Sequence, residues 1–465
     1  MRRVVVVGAG PAGLAAAEKA LLAGASVTLV DAADQPGGQY HRMLPEAYAA
    51  RYPKRLHHGW DSFDRQRRFV LEHRRCTWLS RTSVWALEKL DDGPPSVQLL
   101  RGGVDGEGRT RETIRPDALV LAPGAHDRVL PFPGWDLPGV HTAGAAQALA
   151  KGERIVVGDR VVVAGTGPFL LPVAASLLEA GSRVVEVLEA NSPSTVSRGW
   201  LRRAWELLPQ YGKALELAEY AVGQLCHRTP YRMGRAVVEA RGDGRVEEVV
   251  TARLRPDWSP VPGTERTVPV DALCVGHGFT PQLELFVSAG CTLRDGFVQV
   301  DGNQRTSAAG VFAAGEVTGI AGAPAARAEG AVAGWVAAGG DPAAIRAERR
   351  KRDAGRDFAR RLERAHPIGA AWPDWLRRNT VVCRCEETSY GDLQAALTQP
   401  AGSGSRAVKL GTRAGLGPCQ GRVCGTNVAE LSARLGGETA SVHNRPIAQP
   451  IRLGELAGQP EEETR

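Results

Sequence analysis

The sequence predicts an α/β protein: two strand–helix–strand units suited to nucleotide binding, followed by a small α-rich module carrying four cysteines. Three observations carry this expectation. The chain opens on a β-branched run that stops at a glycine cluster, and a second valine-rich run near residue 160 stops in the same way. Four of the eight cysteines crowd between residues 383 and 424. At 465 residues the chain is too long for one ordinary core. Its 43% hydrophobic and 23% charged residues are those of a globular protein.

The net charge of +7 is spread over the chain without a basic stripe interleaved with aromatics, which argues against a nucleic-acid footprint. An acidic protein partner is the use of this charge that stays open. Met1-Arg2-Arg3 before an apolar run imitates a signal peptide, but the glycine pattern and the charges Glu18 and Lys19 speak against one. No stretch reaches the ~18 apolar residues that span a bilayer. The expected location is therefore cytoplasmic, with peripheral association at the inner membrane left open. Cys76, Cys226, Cys274 and Cys291 stand singly, whereas Cys383, Cys385, Cys419 and Cys424 cluster. Clustered thiols in an intracellular chain point to a metal rather than to a disulfide framework.

Residues Arg3–Val7 read as a buried parallel strand, a β-branched run without alternation. It ends at Gly8-Ala9-Gly10-Pro11-Ala12-Gly13, a helix is predicted over 14–23, and a second strand, Ser26–Val30, ends in Asp31. Gly8 permits the tight turn, Gly10 lets backbone N–H groups approach a pyrophosphate, and Gly13 lets the helix pack close on the sheet. The helix N-terminus favours the negative charge, and Asp31 can accept hydrogen bonds from a ribose. This is a Rossmann-type unit, and by itself it does not separate FAD from NAD.

Residues 160–164 form another valine-rich strand, followed by Gly165-Thr166-Gly167-Pro168-Phe169-Leu170. An Ala/Leu helix ending near Gly181 and a strand over 183–188, closed by Glu189, complete a repeat of the first unit. Glu189 at the ribose position would favour NAD over NADP, because a carboxylate repels a 2′-phosphate. The departure is Leu170 in place of the third glycine. NAD, another nucleotide and an empty relic all remain open at this second site.

The charged segment 341–364 reads as an exposed helix, and Pro367 and Pro373 mark a linker. The third module begins at Val381. Its signature is Cys383-Arg384-Cys385, then 33 residues, then Cys419-Gln420-Gly421-Arg422-Val423-Cys424. Four thiolates in two close pairs can complete the coordination of a [2Fe-2S] rhomb. Ser389 and Asp392 are spaced as a capping box that starts a helix. Gly415, Gly417, Gly421 and Gly425 surround the second pair and let backbone N–H groups point at cluster sulfides. A structural zinc site and plain reduced thiols are the alternatives, although zinc pairs are more commonly C-x2-C than C-x-C.

The first unit resembles the FAD domain of flavoproteins with two dinucleotide-binding domains, in a glutathione/thioredoxin-reductase-like arrangement. The resemblance rests on Gly37-Gly38-Gln39 after the ribose acid, the segment 116–124 ending in Gly124, and Val311-Phe312-Ala313-Ala314-Gly315-Glu316 followed by Gly319 to Gly322. It implies that Glu316 holds the ribityl chain and that Gly8, Gly10, Gly13, Asp31, Gly38, Gln39, Gly124, Gly315 and Glu316 bind FAD. Gly165, Gly167 and Glu189 would serve the second nucleotide. Disulfide reductases of this fold carry a redox cysteine pair beside the flavin; no such pair occurs before residue 380. The C-x-C and C-x4-C pairs resemble a bacterioferritin-associated-ferredoxin-type [2Fe-2S] fold, with Cys383, Cys385, Cys419 and Cys424 as ligands.

Taken whole, the chain resembles the larger electron-transfer (alpha-type) subunits of bacterial amine and opine dehydrogenases: those of opine oxidase, of hydrogen cyanide synthase, and of proline or hydroxyproline dehydrogenase. Leu130-Pro131-Phe132-Pro133-Gly134-Trp135, Leu137-Pro138-Gly139-Val140 and the tail from Asn444-Arg445-Pro446 carry this likeness. It implies an oxidoreductase component of a complex that acts on CH-NH or CH-NH2 groups. Electrons would come from a partner beta subunit, itself an FAD enzyme that oxidises an amino acid, opine or secondary amine, with a small ferredoxin-like third subunit as a further partner. The expected domains are 1–136 with 269–340 for FAD, an inserted nucleotide domain over 137–268, a helical linker over 341–378, and a [2Fe-2S] domain with its tail over 379–465. A self-contained NADH-dependent ferredoxin-type reductase is the competing reading. His126 and His277 read as loop or packing histidines, with a place beside the flavin as the alternative.

Overall fold

In a computed structural model the described residues are all but 46, 47, 49–53, 55, 56, 58, 202–227, 399–403, 438–446 and 459–465. Cys226 and Asn444-Arg445-Pro446 lie outside them. The chain forms two compact units, one of Met1–Ala125, Pro281–Ala359 and His443–Arg465, the other of His126–Thr280 and Arg360–Val442.

The first unit is built on a five-stranded parallel sheet in the order Val311–Ala313, Ala118–Leu121, Arg3–Val7, Ser26–Val30, Cys76–Leu79. The apolar runs are buried on both faces, as strands covered by helices must be. The helix is longer at its start than the sequence suggested: it spans Pro11–Leu22, with Pro11 in the first turn, where its missing N–H costs nothing. Helix Ala323–Ala337 crosses it on a seam of small residues. A Cβ added to Gly330 would fall 1.9 Å from the Ala12 carbonyl oxygen, and one on Gly334 would fall 2.0 Å from that of Ala16. Glycine at these two positions is what lets the helix backbones touch. A three-stranded antiparallel sheet, Thr82–Glu88, Ser96–Arg101 and Thr110–Ile114, completes this unit. The tail returns to it: Ile447 bridges Ala86, and Arg109 forms a nearly buried pair with Glu455 at 2.7 Å.

The second unit repeats the plan. Its five-stranded parallel sheet runs Tyr231–Met233, Arg183–Glu189, Arg160–Gly165, Ala272–Gly276, Val140–Thr142, again accompanied by a three-stranded antiparallel sheet, Arg235–Arg241, Glu248–Arg253 and Arg266–Pro269.

Helix Arg346–Ala365 follows a 3-10 turn, Pro342–Ile345, and it is not exposed throughout. Arg352 and Arg361 are buried, the former donating to the Gly302 carbonyl at 2.5 Å. The segment beyond it, read from sequence as a linker, is packed: Trp372 and Trp375 lie in the core with Trp258, Phe132 and Trp135. That core also takes Val382, Leu393, Val408 and Leu431 of the cysteine-bearing segment. The helices there are Tyr390–Leu397, Ser405–Thr412 and Gly425–Arg434. Among the described residues no helix is long and apolar enough to cross a membrane.

Candidate functional site

At the C-terminal end of the first sheet the chain turns at Gly8 and enters its first helix. A Cβ on Gly13 would fall 1.6 Å from the Gly8 carbonyl oxygen, so only hydrogen lets helix and loop close in this way. Gly38 lies against Gly10, and the Gly37 N–H donates to the Ala9 carbonyl at 2.8 Å. Gln39 accepts from Arg42 at 2.8 Å. Asp31 accepts from the backbone N–H groups of Ala9 at 2.5 Å and Ala33 at 2.8 Å. Burial raises its carboxyl pKa against the pull of those donors. Gly315 meets Ala12 of the same helix, and the Gly124 carbonyl accepts from Gln282 at 3.0 Å. The carboxylate of Glu316 accepts from Gly322 at 2.8 Å and Ala321 at 3.2 Å, fixing the loop that enters helix Ala323–Ala337. The fold therefore brings Gly8, Gly10, Gly13, Gly38 and Gly315 around one helix start. This is a cradle bare of side chains beside a ribose-competent acid, which fits the FAD that the sequence implied.

Sequence reasoning missed the acid that braces this cradle. Glu329 is buried within helix Ala323–Ala337 and accepts from Gly315 N–H at 2.9 Å, Thr318 Oγ1 at 2.6 Å and Arg356 Nε at 3.0 Å. Arg356 also donates to Gln304 Oε1 at 2.7 Å, and Gln304 donates to the Ala313 carbonyl at 2.8 Å. A lone carboxylate in an Ala/Gly helix was the signal available.

In the second unit Gly165 turns the strand, but Leu170 is fully buried where the first unit has a glycine. Glu189 ends its strand as expected and is completely buried. Its oxygens accept from Thr166 Oγ1 at 2.8 Å, Gly167 N–H at 2.8 Å, Asn191 N–H at 2.9 Å and His366 Nδ1 at 3.2 Å. Burial pushes this carboxyl up, but the His366 hydrogen bond and charge, with the backbone donors, hold it below the usual value.

The four clustered cysteines also converge. Hairpin strand Val381–Cys383 and the loop before helix Gly425–Arg434 bring the Cys424 thiol to hydrogen-bond those of Cys383 and Cys419, while Cys385 meets Cys419. Backbone N–H groups of Gly415, Glu386 and Cys385 face Cys383, and those of Val423 and Gly421 face Cys419. The bond from Cys424 brings Cys383 down to about 6 and Cys419 down to about 4. Among the described residues, however, no group of three or more His, Cys, Asp or Glu side chains is arranged to hold a metal ion. Ser389 and Asp392 form the expected capping box. His126 Nε2 meets the Arg422 carbonyl within the C-x4-C loop at 2.7 Å. His277 is buried beside Trp258, and burial, then the Arg128 charge, lowers it to about 3, so it packs as a neutral ring.

The model of the pyridine nucleotide-disulphide oxidoreductase family matches residues 2–330. The chain is 33% identical to the A subunit of opine oxidase from Rhizobium meliloti, over 98% of this chain and 87% of that protein. It is 32% identical to hydrogen cyanide synthase subunit HcnB of Pseudomonas aeruginosa, over 91% of this chain and 90% of that one. In fold it is similar to L-proline dehydrogenase from P. horikoshii (TM-score 0.66, 18% identity, 98% of this chain and 79% of that one). It is also similar to T. acidophilum thioredoxin reductase (TM-score 0.51, 23% identity, 73% and 99%). With two α/β units of this fold, a family model that matches residues 2–330 and relatives that span nearly its whole length, the chain belongs to the pyridine nucleotide-disulphide oxidoreductase family.

Proposed function

We propose that this chain is the FAD-binding electron-transfer component of an amine or opine dehydrogenase complex. It would take electrons from a partner flavoprotein that oxidises a CH-NH or CH-NH2 group and hand them to a further acceptor. The observation that carries the reading is the bare glycine cradle beside Asp31, in a chain that aligns over 98% of its length with its opine oxidase relative. In this reading Gly8, Gly10, Gly13 and Asp31 hold the dinucleotide, with Gly38, Gln39, Gly124, Gly315 and Glu316 around it. Cys383, Cys385, Cys419 and Cys424 would hold a [2Fe-2S] cluster. Their convergence and the surrounding N–H donors support that assignment, and a two-iron rhomb asks for a pair of thiolates on each iron rather than several ligands around one ion. When bound, FAD supplies two-electron chemistry and a [2Fe-2S] centre one-electron transfer.

The test is anaerobic purification of the chain alone and with its co-expressed partner, measuring flavin, iron and sulfide and following the visible spectrum. The proposal expects bound flavin, iron and sulfide near two each, and bleaching by an amino acid or opine only when the partner is present. Amino-acid oxidation by the single chain would end it, and direct bleaching by NADH would turn the reading towards a free-standing reductase.

A further inference from the structure

The two glycine-loop units of this chain end their second strands on acids in equivalent places, and the surroundings of those acids differ. Asp31 accepts from Ala9 and Ala33, and Glu189 accepts from Gly167 and Asn191, so each is tied to its own glycine loop and to the residue two positions on. Asp31 is only partly buried, and its described hydrogen bonds stop there. Glu189 is completely buried and takes three further donors: Thr166 Oγ1, Asn191 Nδ2 at 3.2 Å, and the His366 ring. A carboxylate offers about four lone-pair sites. Oε1 takes three of these donors and Oε2 two, Gly167 N–H and His366 Nδ1, so neither oxygen keeps a lone pair for a ribose hydroxyl.

The segment that brings His366 is fastened on both sides of the acid. Asn191 Nδ2 donates to the Pro367 carbonyl at 3.0 Å, while Asn191 Oδ1 accepts from Trp258 Nε1 at 3.3 Å. Gly199 lies directly beneath Ala365, where a Cβ would fall 2.3 Å from the Ala365 Cα. Further on, the Ala371 N–H donates to the Asp257 carbonyl at 2.8 Å and Trp375 Nε1 to the Trp258 carbonyl at 2.9 Å. Trp200 Nε1 faces His366 Nε2 at 3.4 Å, an arrangement that leaves the proton on Nδ1, directed at Glu189. The ring N–H thus makes the hydrogen bond that a ribose hydroxyl makes in a dinucleotide site. The glycine loop differs between the two units as well. The N–H of Leu170, at the place of Gly13, turns back to the Gly167 carbonyl at 3.3 Å instead of pointing out from a helix start towards a pyrophosphate, while Leu171, like Leu14 of the first unit, bonds back into its own loop.

We infer that residues 365–375 are an internal strap that fills the second nucleotide site, with His366 standing where a ribose would bind, so that nicotinamide nucleotides do not enter this chain. The strap also links this sheet to the cysteine-bearing segment that begins at Val381, which gives Glu189 a structural use.

Isothermal titration of the full-length, flavin-loaded protein with ADP-ribose and with NADH tests this. The wild type is expected to give no saturable heat up to millimolar ligand. His366→Gly frees the acceptor position that His366 holds on Glu189 Oε2 and is expected to bind ADP-ribose at least tenfold more tightly than the wild type, with imidazole competing by refilling the void. His366→Asn keeps a donor near the Nδ1 position and is expected to stay closed. Bound flavin and melting temperature report whether each variant is folded. Micromolar binding to the wild type, a His366→Gly protein no better than the wild type, or equal opening in His366→Asn would each overturn the inference.

Discussion

Gly334→Ala tests the helix crossing on which the flavin cradle depends. The new Cβ would fall 2.0 Å from the Ala16 carbonyl oxygen and 2.6 Å from the Ala16 Cα, and both obstacles are backbone that cannot rotate away. Relief requires the helices Pro11–Leu22 and Ala323–Ala337 to part by more than about 1 Å, since carbon and oxygen settle near 3.5 Å. Overpacking of this kind costs about 1–3 kcal/mol. Alanine returns about 1 kcal/mol of helix propensity over glycine. Because the clash is with backbone, the upper half of the range applies, leaving a net loss of about 1–2 kcal/mol. In a unit of this size that lowers the melting temperature by roughly 2–8 °C. The function should follow, because one helix starts at Gly10 and the other at the loop fixed by Glu316. Scanning calorimetry of the flavin-loaded protein, with flavin content after gel filtration, measures both effects. Gly411→Ala is the matched control: it lies within helix Ser405–Thr412 with nothing within 4 Å of the added Cβ, and it should stabilise by about 0.5–1 kcal/mol. If Gly334→Ala also raised the melting temperature, the close crossing would be refuted.

Asp31→Asn removes a charged acceptor at the ribose position, worth about 1.5–3 kcal/mol; flavin affinity by equilibrium dialysis should fall roughly 10- to 150-fold, and an unchanged value would remove the acid from the site. Cys419→Ser should lose iron and sulfide while keeping flavin, whereas Cys274→Ser, at a fully buried thiol pushed up to about 12, should keep both; metal and sulfide analysis separates them. Glu189, facing His366 and Tyr231, has its carboxyl held below the usual value in the folded state. Its contribution is therefore present above the unfolded value of about 4.3 and lost as pH falls through the folded value. The melting-temperature gap between wild type and Glu189→Gln should be full at pH 7 and close progressively below about pH 5; a gap independent of pH would contradict this.

What the sequence made legible was local. The strand at Arg3–Val7, its glycine turn, the acid that closes the next strand and the capping box of Ser389 with Asp392 each occupy a few consecutive residues, and hydrophobic period or cap chemistry marks them. Other contacts join distant segments: Glu329 with Arg356 across a turn between helices, His366 with Glu189 at a separation of 177 residues, and Arg109 with Glu455 at 346. No local pattern announces such a partner, because the energy lies in burial and in saturating a carboxylate once the chain has returned to it.

The two glycine-loop units show why this matters for ligands. Strand, turn, helix and terminal acid repeat from Arg3–Asp31 to Arg160–Glu189, and both sheets pair in parallel as that pattern demands. The motif fixes where an acid stands and which backbone N–H groups hold it. It does not fix what occupies the remaining lone pairs. At Asp31 the described hydrogen-bond donors are backbone alone, whereas at Glu189 a side chain from just past the end of a 20-residue helix arrives and saturates the carboxylate. A buried carboxylate without such donors would bear a heavy desolvation penalty, so once the strap has docked, the same acid that could select a nucleotide becomes the reason the strap stays.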